Sequence, residues 1–300
     1  MAQNIPMKFL DWVDESKLDW NLLAATNPNI IYLIQKYPHK TNSYMFWVHL
    51  SKNPNAIPLL EQNLDKIDWD LFSENPNAIP ILEQNPHKIN WYWLSKNPNA
   101  IPLLEQNLDK INWGWLSSNE NAIPLLEQHL DKIIWEHLCR NRNAIPLLAE
   151  NIEIDIEDID WAWLSKNPNA IPLLEQNPDK INWRWASANP NAIPLLEQNP
   201  DKINWFWLSD NQNAIPLLER NLDKINWVWL SKNPNAIPIL ERNPDKIDWY
   251  YLSINPNITT YDYEAMKENH RDLKEELIQR AWHPSRIAAW LDEGIDLEDL

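Results

Sequence analysis

The sequence predicts an all-α fold, an α-solenoid of short two-helix repeats. Three observations carry that prediction. Tryptophan recurs at 47, 69, 91, 113, 135, 161, 183, 205, 227 and 249, at intervals of 22 residues except for the 26 between Trp135 and Trp161. The string between anchors is nearly constant, as in Trp91 to Asn112, WYWLSKNPNAIPLLEQNLDKIN. Glycine is almost absent, with only Gly114 and Gly294 against 24 prolines. A fixed period of this size belongs to arrays in which each unit buries its apolar face against its neighbours. Scarce glycine argues against β-helices and propellers, whose turns use it freely. A leucine-rich repeat would suit the period, but IPLLEQN lacks the Leu-x-Leu alternation of that family's strand.

Residues 1–46 read as a degenerate N-terminal cap. Trp20-Asn21-Leu22-Leu23 and Asn27-Pro28-Asn29-Ile30 echo the repeat with one residue too many, and end units of a solenoid depart from consensus because one face has no neighbour. The tandem array proper spans 47–260, with nine complete units and a tenth beginning at Trp249.

Within a unit, Asn90 is placed to cap a first helix from Trp91 to Lys96, because its side chain accepts the orphan N–H groups of a first turn. Asn99 is placed to cap a second helix, Ala100 to Gln106, with Pro102 in the turn where a missing N–H costs nothing. Asn107 ends that helix, and Asp109-Lys110-Ile111 leads into the next unit. Helices this short are marginal alone, so stacking must hold them. At the usual helix spacing of about 10 Å, ten units make a rod or superhelix on the order of 100 Å long.

The period breaks once. Ile152 to Asp160, IEIDIEDID, replaces the usual LDKIN and adds four residues. It reads as an inserted acidic loop or a short edge strand, and such an insertion is either tolerated or kinks the array. Beyond 260, residues 261–300 read as a helical C-terminal cap. Asp262 caps a helix from Tyr263 to Ala281, Pro284 ends it, and Ser285 to Glu293 forms a second one closed by Gly294.

Comparison of the copies within the chain separates fixed from free positions. The asparagines six and eight residues after each anchor never vary from Asn53 to Asn257, as backbone-satisfying ladders require. The residue just after each anchor varies freely, from Val48 through Tyr92, Arg184 and Phe206 to Tyr250. So does the residue four further on, from Lys52 through Lys96, Arg140 and Asp210 to Ile254. Positions i and i+4 share a helical face, so Tyr92, Lys96, Arg140, Arg184, Phe206, Asp210 and Tyr250 belong to one ridge. That ridge is the candidate partner-binding surface, since a constant frame with one variable stripe writes specificity and exposed aromatics favour interfaces. A second aromatic line, two residues after the anchors, includes Trp93, Trp115, Trp163, Trp185, Trp207 and Trp229 and reads as core or groove lining.

Nothing points to catalysis. His129, His137 and Cys139 come nearest to a metal cluster, but their spacing matches no zinc pattern. No glycine-rich phosphate loop, nucleophile elbow or triad signature is present, and no cofactor is implied. The net charge of −17 disfavours nucleic acid and anionic membranes as partners. One cysteine, no signal-peptide pattern and no long apolar run point to a soluble, intracellular protein that is not secreted.

The repeat string NPNAIPLLEQNPDKINWxWLSK resembles the tandem short repeats found in proteins of giant DNA viruses of the mimivirus-like group, over about residues 20 to 260. The closing HPSRIAAWLDEG is similar to tails in such genomes. The resemblance implies action in an infected cell or in the virion. It carries no activity and no functional residue to this chain. The sequence therefore predicts a non-enzymatic scaffold that binds a protein partner, such as a host protein during infection. The alternative is a structural component that self-associates into a virion or filament part.

Overall fold

The computed structural model describes residues 6–151, 159–283 and 286. The chain forms two compact units, Leu10–Ile258 and Met1–Phe9 with Thr259–Leu300. The larger one is the all-α repeat solenoid that the period predicts.

The unit of Trp91 holds three short elements, Trp91–Leu94, Ile101–Glu105 and a 3-10 turn at Leu108–Lys110, and some units add a further 3-10 turn before the second helix, such as Pro54–Ala56. The third element is the segment that the sequence reading treats as a connecting loop. It forms because Lys110 N–H bonds back to Asn107 O at 3.0 Å. The Lys110 ammonium also reaches Asn107 Oδ1 at 3.0 Å and lies 4.4 Å from the Trp91 ring, so the lysine pins the turn to its own anchor.

Asn90 caps the first helix as expected, its Oδ1 accepting from Tyr92 N and Trp93 N. Asn99 does something else. The second helix begins after Ala100 without a side-chain cap, and Asn99 Nδ2 donates to Pro76 O of the preceding unit at 2.9 Å. The cause lies two residues earlier. Asn97 Oδ1 accepts from Asn99 N at 2.9 Å, and that Asx turn already steers the chain into the helix, freeing Asn99 to bridge units.

Three side-chain ladders hold units together. Ser95 Oγ donates to Trp91 O at 2.8 Å and accepts the N–H of Asn112, the cap of the next unit, at 2.9 Å. Asn97 Nδ2 donates to Ser73 O at 3.0 Å and to Asn75 O at 2.7 Å. Asn99 adds the third. Ser95 and Asn97 are fully buried beside Leu94, Ala100 and Leu104, so the core is apolar with hydrogen-bonded polar lines running through it. The expected insertion at 152–160 lies outside the described residues apart from Ile159 and Asp160. The ladder crosses it unchanged, with Asn167 Nδ2 donating to Cys139 O at 3.1 Å and Asn141 O at 3.0 Å.

The array closes on itself. Asn53 Nδ2 donates to Ala24 O and Asn27 O, so the Trp20 segment is a full member of the stack. Asp19 N–H donates to Ser253 Oγ at 2.8 Å, the bond that links Asn112 to Ser95 elsewhere. Leu10 N–H donates to Ile258 O at 3.0 Å, as Leu103 N–H does to Ala100 O. Lys17 lies 4.9 Å from the Trp249 ring, as Lys110 lies against Trp91. Leu10 to Leu18 thus supply the second half of the unit whose first half begins at Trp249. Residues 10–46 work as repeat material instead of covering an end, and where ten units forming a rod or superhelix were expected, eleven form a closed array.

The smaller unit pairs two short strands, β1 (Met7–Phe9) and β2 (Thr259–Tyr261), antiparallel with Phe9 opposite Thr259. Asp262 then caps the expected helix Tyr263–Ala281 through Ala265 N. The expected second helix, 285–293, falls outside the described residues.

Candidate functional site

The aromatic line two residues after the anchors is a ladder of half-buried rings. Centroids lie 6.3 Å apart for Trp93 and Trp115, 5.3 Å for Trp163 and Trp185, 4.8 Å for Trp185 and Trp207, and 5.0 Å for Trp207 and Trp229. Helix axes pack about 8–10 Å apart, so rings this close stand on the inner side of the curve. A full turn shared by eleven units is about 33° per unit, the rotation that bends a solenoid. The ring planes follow it, meeting at 25°, 25°, 35° and 41° in those four pairs. These half-buried tryptophans thus form an aromatic line from unit to unit along the array.

The seven ridge residues border this ladder. Tyr92 is 47% exposed and meets the edges of Trp93 and Trp115, at 5.3 and 5.9 Å. Phe206, 42% exposed, sits in the same way against Trp207 and Trp229. Tyr250, 55% exposed, packs on Tyr251. Arg184 lies 5.4 Å from Trp207. Lys96 lies 5.2 Å from Trp115 and pairs with Glu74, which also holds Lys52 at 3.5 Å. Asp210 pairs with Lys232 at 2.9 Å, and Lys232 stands 4.1 Å from Trp229.

Arg140 is placed differently. Its guanidinium lies 4.3 Å from the Trp163 ring and its Nε is buried with no hydrogen-bond partner among the described residues. Beside it Lys166 lies 5.4 Å from Trp163 and 5.1 Å from Trp185. Burial holds the Lys166 ammonium below its ordinary pKa, an effect that Asp210 opposes and Lys232 adds to. The two cations line a cavity of about 460 Å³ with Arg142, Trp163, Ala188 and Asp210.

Sequence reasoning placed Lys166 and Ala188 in the variable series of the ridge without singling them out, and passed over Arg142. Lys166 repeats the consensus Trp-x-Trp-Leu-Ser-Lys and carries no mark. The other two do carry one: Arg142 stands where most units have proline, and Ala188 stands where most have a charge.

The histidines and the cysteine are spread apart in role. His129 packs on Trp113 at 5.2 Å, and His137 Nδ1 bonds to Gly114 O at 3.0 Å. Cys139 is fully buried and takes the ladder position that serine holds in its neighbours. Among the described residues, no group of three or more His, Cys, Asp or Glu is arranged to hold a metal ion. Nor is any described helix long and apolar enough to cross a membrane.

Comparison with protein-family models, with curated proteins and with solved structures returned no match.

Proposed function

We propose that the chain is a non-enzymatic repeat scaffold that docks a protein partner on the tryptophan ladder and its variable ridge. The observation that carries this reading is the wedging of Tyr92 and Phe206, both exposed, between successive ladder rings. Rigid aromatics with few rotamers to lose, flanked by arginine, are the usual anchors of protein interfaces. The frame beneath them is fixed by buried ladders, so the ridge can vary from unit to unit without cost to the fold. The resemblance of the repeat string to those of giant viruses makes a host protein the proposed partner and the interior of the infected cell the place of action. Self-association is the weaker reading, because the first and last units of the array are engaged with each other and the end faces a filament would use are occupied.

The test is affinity capture from host-cell lysate with mass spectrometry. It compares the wild type with a variant carrying Tyr92→Ala, Arg184→Ala, Phe206→Ala and Tyr250→Ala, after circular dichroism has shown both to be equally folded. A partner retained by the wild type and lost by the variant supports docking on the ridge. Recovery of only the protein itself by both would sink the reading and put self-association in its place.

A further inference from the structure

The cavity between the units of Trp135, Trp161, Trp183 and Trp205 presents three cations, Arg140, Arg142 and Lys166, on a chain whose net charge is −17. Among the described residues the one acid in its wall, Asp210, is held by Lys232 at 2.9 Å. Arg142 is engaged with Glu120, its Nε at 3.3 Å. Arg140 and Lys166 have no carboxylate within ion-pair distance among the described residues, although both are partly withdrawn from water. Among the described residues the cations of this cavity outnumber its one acid, Asp210, which acts on Lys166 without lying at ion-pair distance from it.

The space between them comes from one small residue. At the equivalent ridge position the neighbouring units carry Arg140, Lys166, Asp210 and Lys232, whereas the unit of Trp183 between them has alanine. Ala188 leaves open the volume that a long side chain fills elsewhere.

We propose that this cavity binds a phosphomonoester dianion. Two cations without an ion-pair partner among the described residues match a double negative charge, and the guanidinium of Arg140, 4.3 Å from the centre of the Trp163 ring, carries the planar fork of donors with which arginine grips phosphate oxygens. At about 460 Å³ the cavity has the size of a small-molecule cleft and exceeds what bare phosphate fills. Trp163, Pro168 and Pro190 supply an apolar wall for the organic part of the ester. Withdrawal of Lys166 from water strengthens the pairing, since charges attract more in a poorly solvated site. The cavity is set into the ridge itself, between Arg140, Lys166, Ala188 and Asp210, but its test needs no protein partner and so does not depend on partner docking.

The experiment is isothermal titration of the whole chain with phenyl phosphate, adenosine monophosphate, a phosphotyrosine peptide, inorganic phosphate and benzoate. It is repeated on Lys166→Met and on Ala188→Glu. Glutamate fits this ridge position natively, because Glu74 occupies it in another unit, so Ala188→Glu fills the cavity with a carboxylate in a tolerated frame. Expected are one-to-one binding of phenyl phosphate, a loss of tenfold or more in Lys166→Met, as about one charged hydrogen bond gives, and no binding in Ala188→Glu. Benzoate, with one charge, should bind at least about tenfold more weakly. Preference for the nucleotide marks a free metabolite, and preference for the peptide marks a phosphorylated protein. The proposal is overturned if no ester saturates, if benzoate matches phenyl phosphate, or if Lys166→Met, shown folded by circular dichroism, binds as the wild type does.

Discussion

Asp19 donates its backbone N–H to Ser253 Oγ at 2.8 Å across 234 positions of chain, repeating the bond that joins adjacent units such as those of Trp91 and Trp113. Lys17 on Trp249 and Leu10 on Ile258 complete the imitation, so one repeat is assembled from opposite ends of the array. A closed array has no exposed end face, and each unit has two neighbours to bury against. The seam is nevertheless incomplete. Elsewhere the ladder asparagine donates twice to the preceding unit, but Asn27 Nδ2 is buried with no hydrogen-bond partner among the described residues. The extra residue between Trp20 and Asn27 accounts for this, because it moves the amide from the sixth to the seventh place after the ring.

The seam should therefore open before any other interface. In native-state hydrogen exchange the Asp19 amide should exchange well ahead of the Asn112 amide, although both bond to a serine hydroxyl at nearly equal distance. Equal protection at the two positions would show that the missing amide bonds have no energetic consequence.

Two asparagines measure what the ladder contributes. Asn97→Ala removes both inter-unit bonds and leaves buried carbonyls at Ser73 and Asn75, which predicts a loss of about 3 kcal/mol. Asn27→Ala has only the Asn29 N–H contact to lose, which predicts about 1 kcal/mol. Urea denaturation of both variants reads the difference. Equal losses would mean that the fixed asparagines matter for their turns alone.

These residues also show how far the sequence could be read. Period and anchors disclosed the solenoid, because every unit solves the same burial problem with the same side chains. The invariance of Asn97 and Asn99 disclosed a backbone role, but not which amide turns inward and which crosses to the next unit. That division depends on the spacing of stacked units, a tertiary quantity. Closure was hidden for a similar reason. Asp14 to Trp20, DESKLDW, matches Asn107 to Trp113, NLDKINW, only at the lysine and the tryptophan, so the half-unit at 10–18 looked like a cap. The ridge was legible as variation, whereas the cavity beside it was not. It needs Arg140, Lys166 and Ala188 brought side by side from three units.

Ile134 marks a place where a unit departs from consensus at a cost. It stands at the N-cap of Trp135–Leu138, where every other unit except that of Trp47 has Asn or Asp, and it makes no side-chain cap. It is also 44% exposed, so its side chain gains little from burial. Ile134→Asn should raise stability by about 1 kcal/mol, the usual value of a restored cap. A thermal melt that stays in place or falls would show that Ile134 has a packing role the cap cannot replace.

Cys139 offers the clearest dependence on pH. Burial is the main reason its thiol pKa rises from 9.0 to about 11, with the charges of Asp160 and Glu136 adding to the rise and the Asp160 N–H opposing it. The native thiol therefore keeps its proton to higher pH than the unfolded one. The associated stability is whole below pH 9.0 and is lost as pH climbs through about 11. Cys139→Ser installs the residue that every other unit from Ser51 to Ser253 uses, and serine does not titrate in this window. Urea midpoints of the two proteins should lie a fixed distance apart near neutral pH, with the wild type falling behind at about pH 10.5. Thiol-directed alkylation should label the native protein only at the rate of unfolding, because Cys139 is fully buried as well as protonated. Midpoints that keep the same separation at both pH values would mean that the thiolate is accommodated in the native core. In that case serine and cysteine are interchangeable at this rung of the ladder.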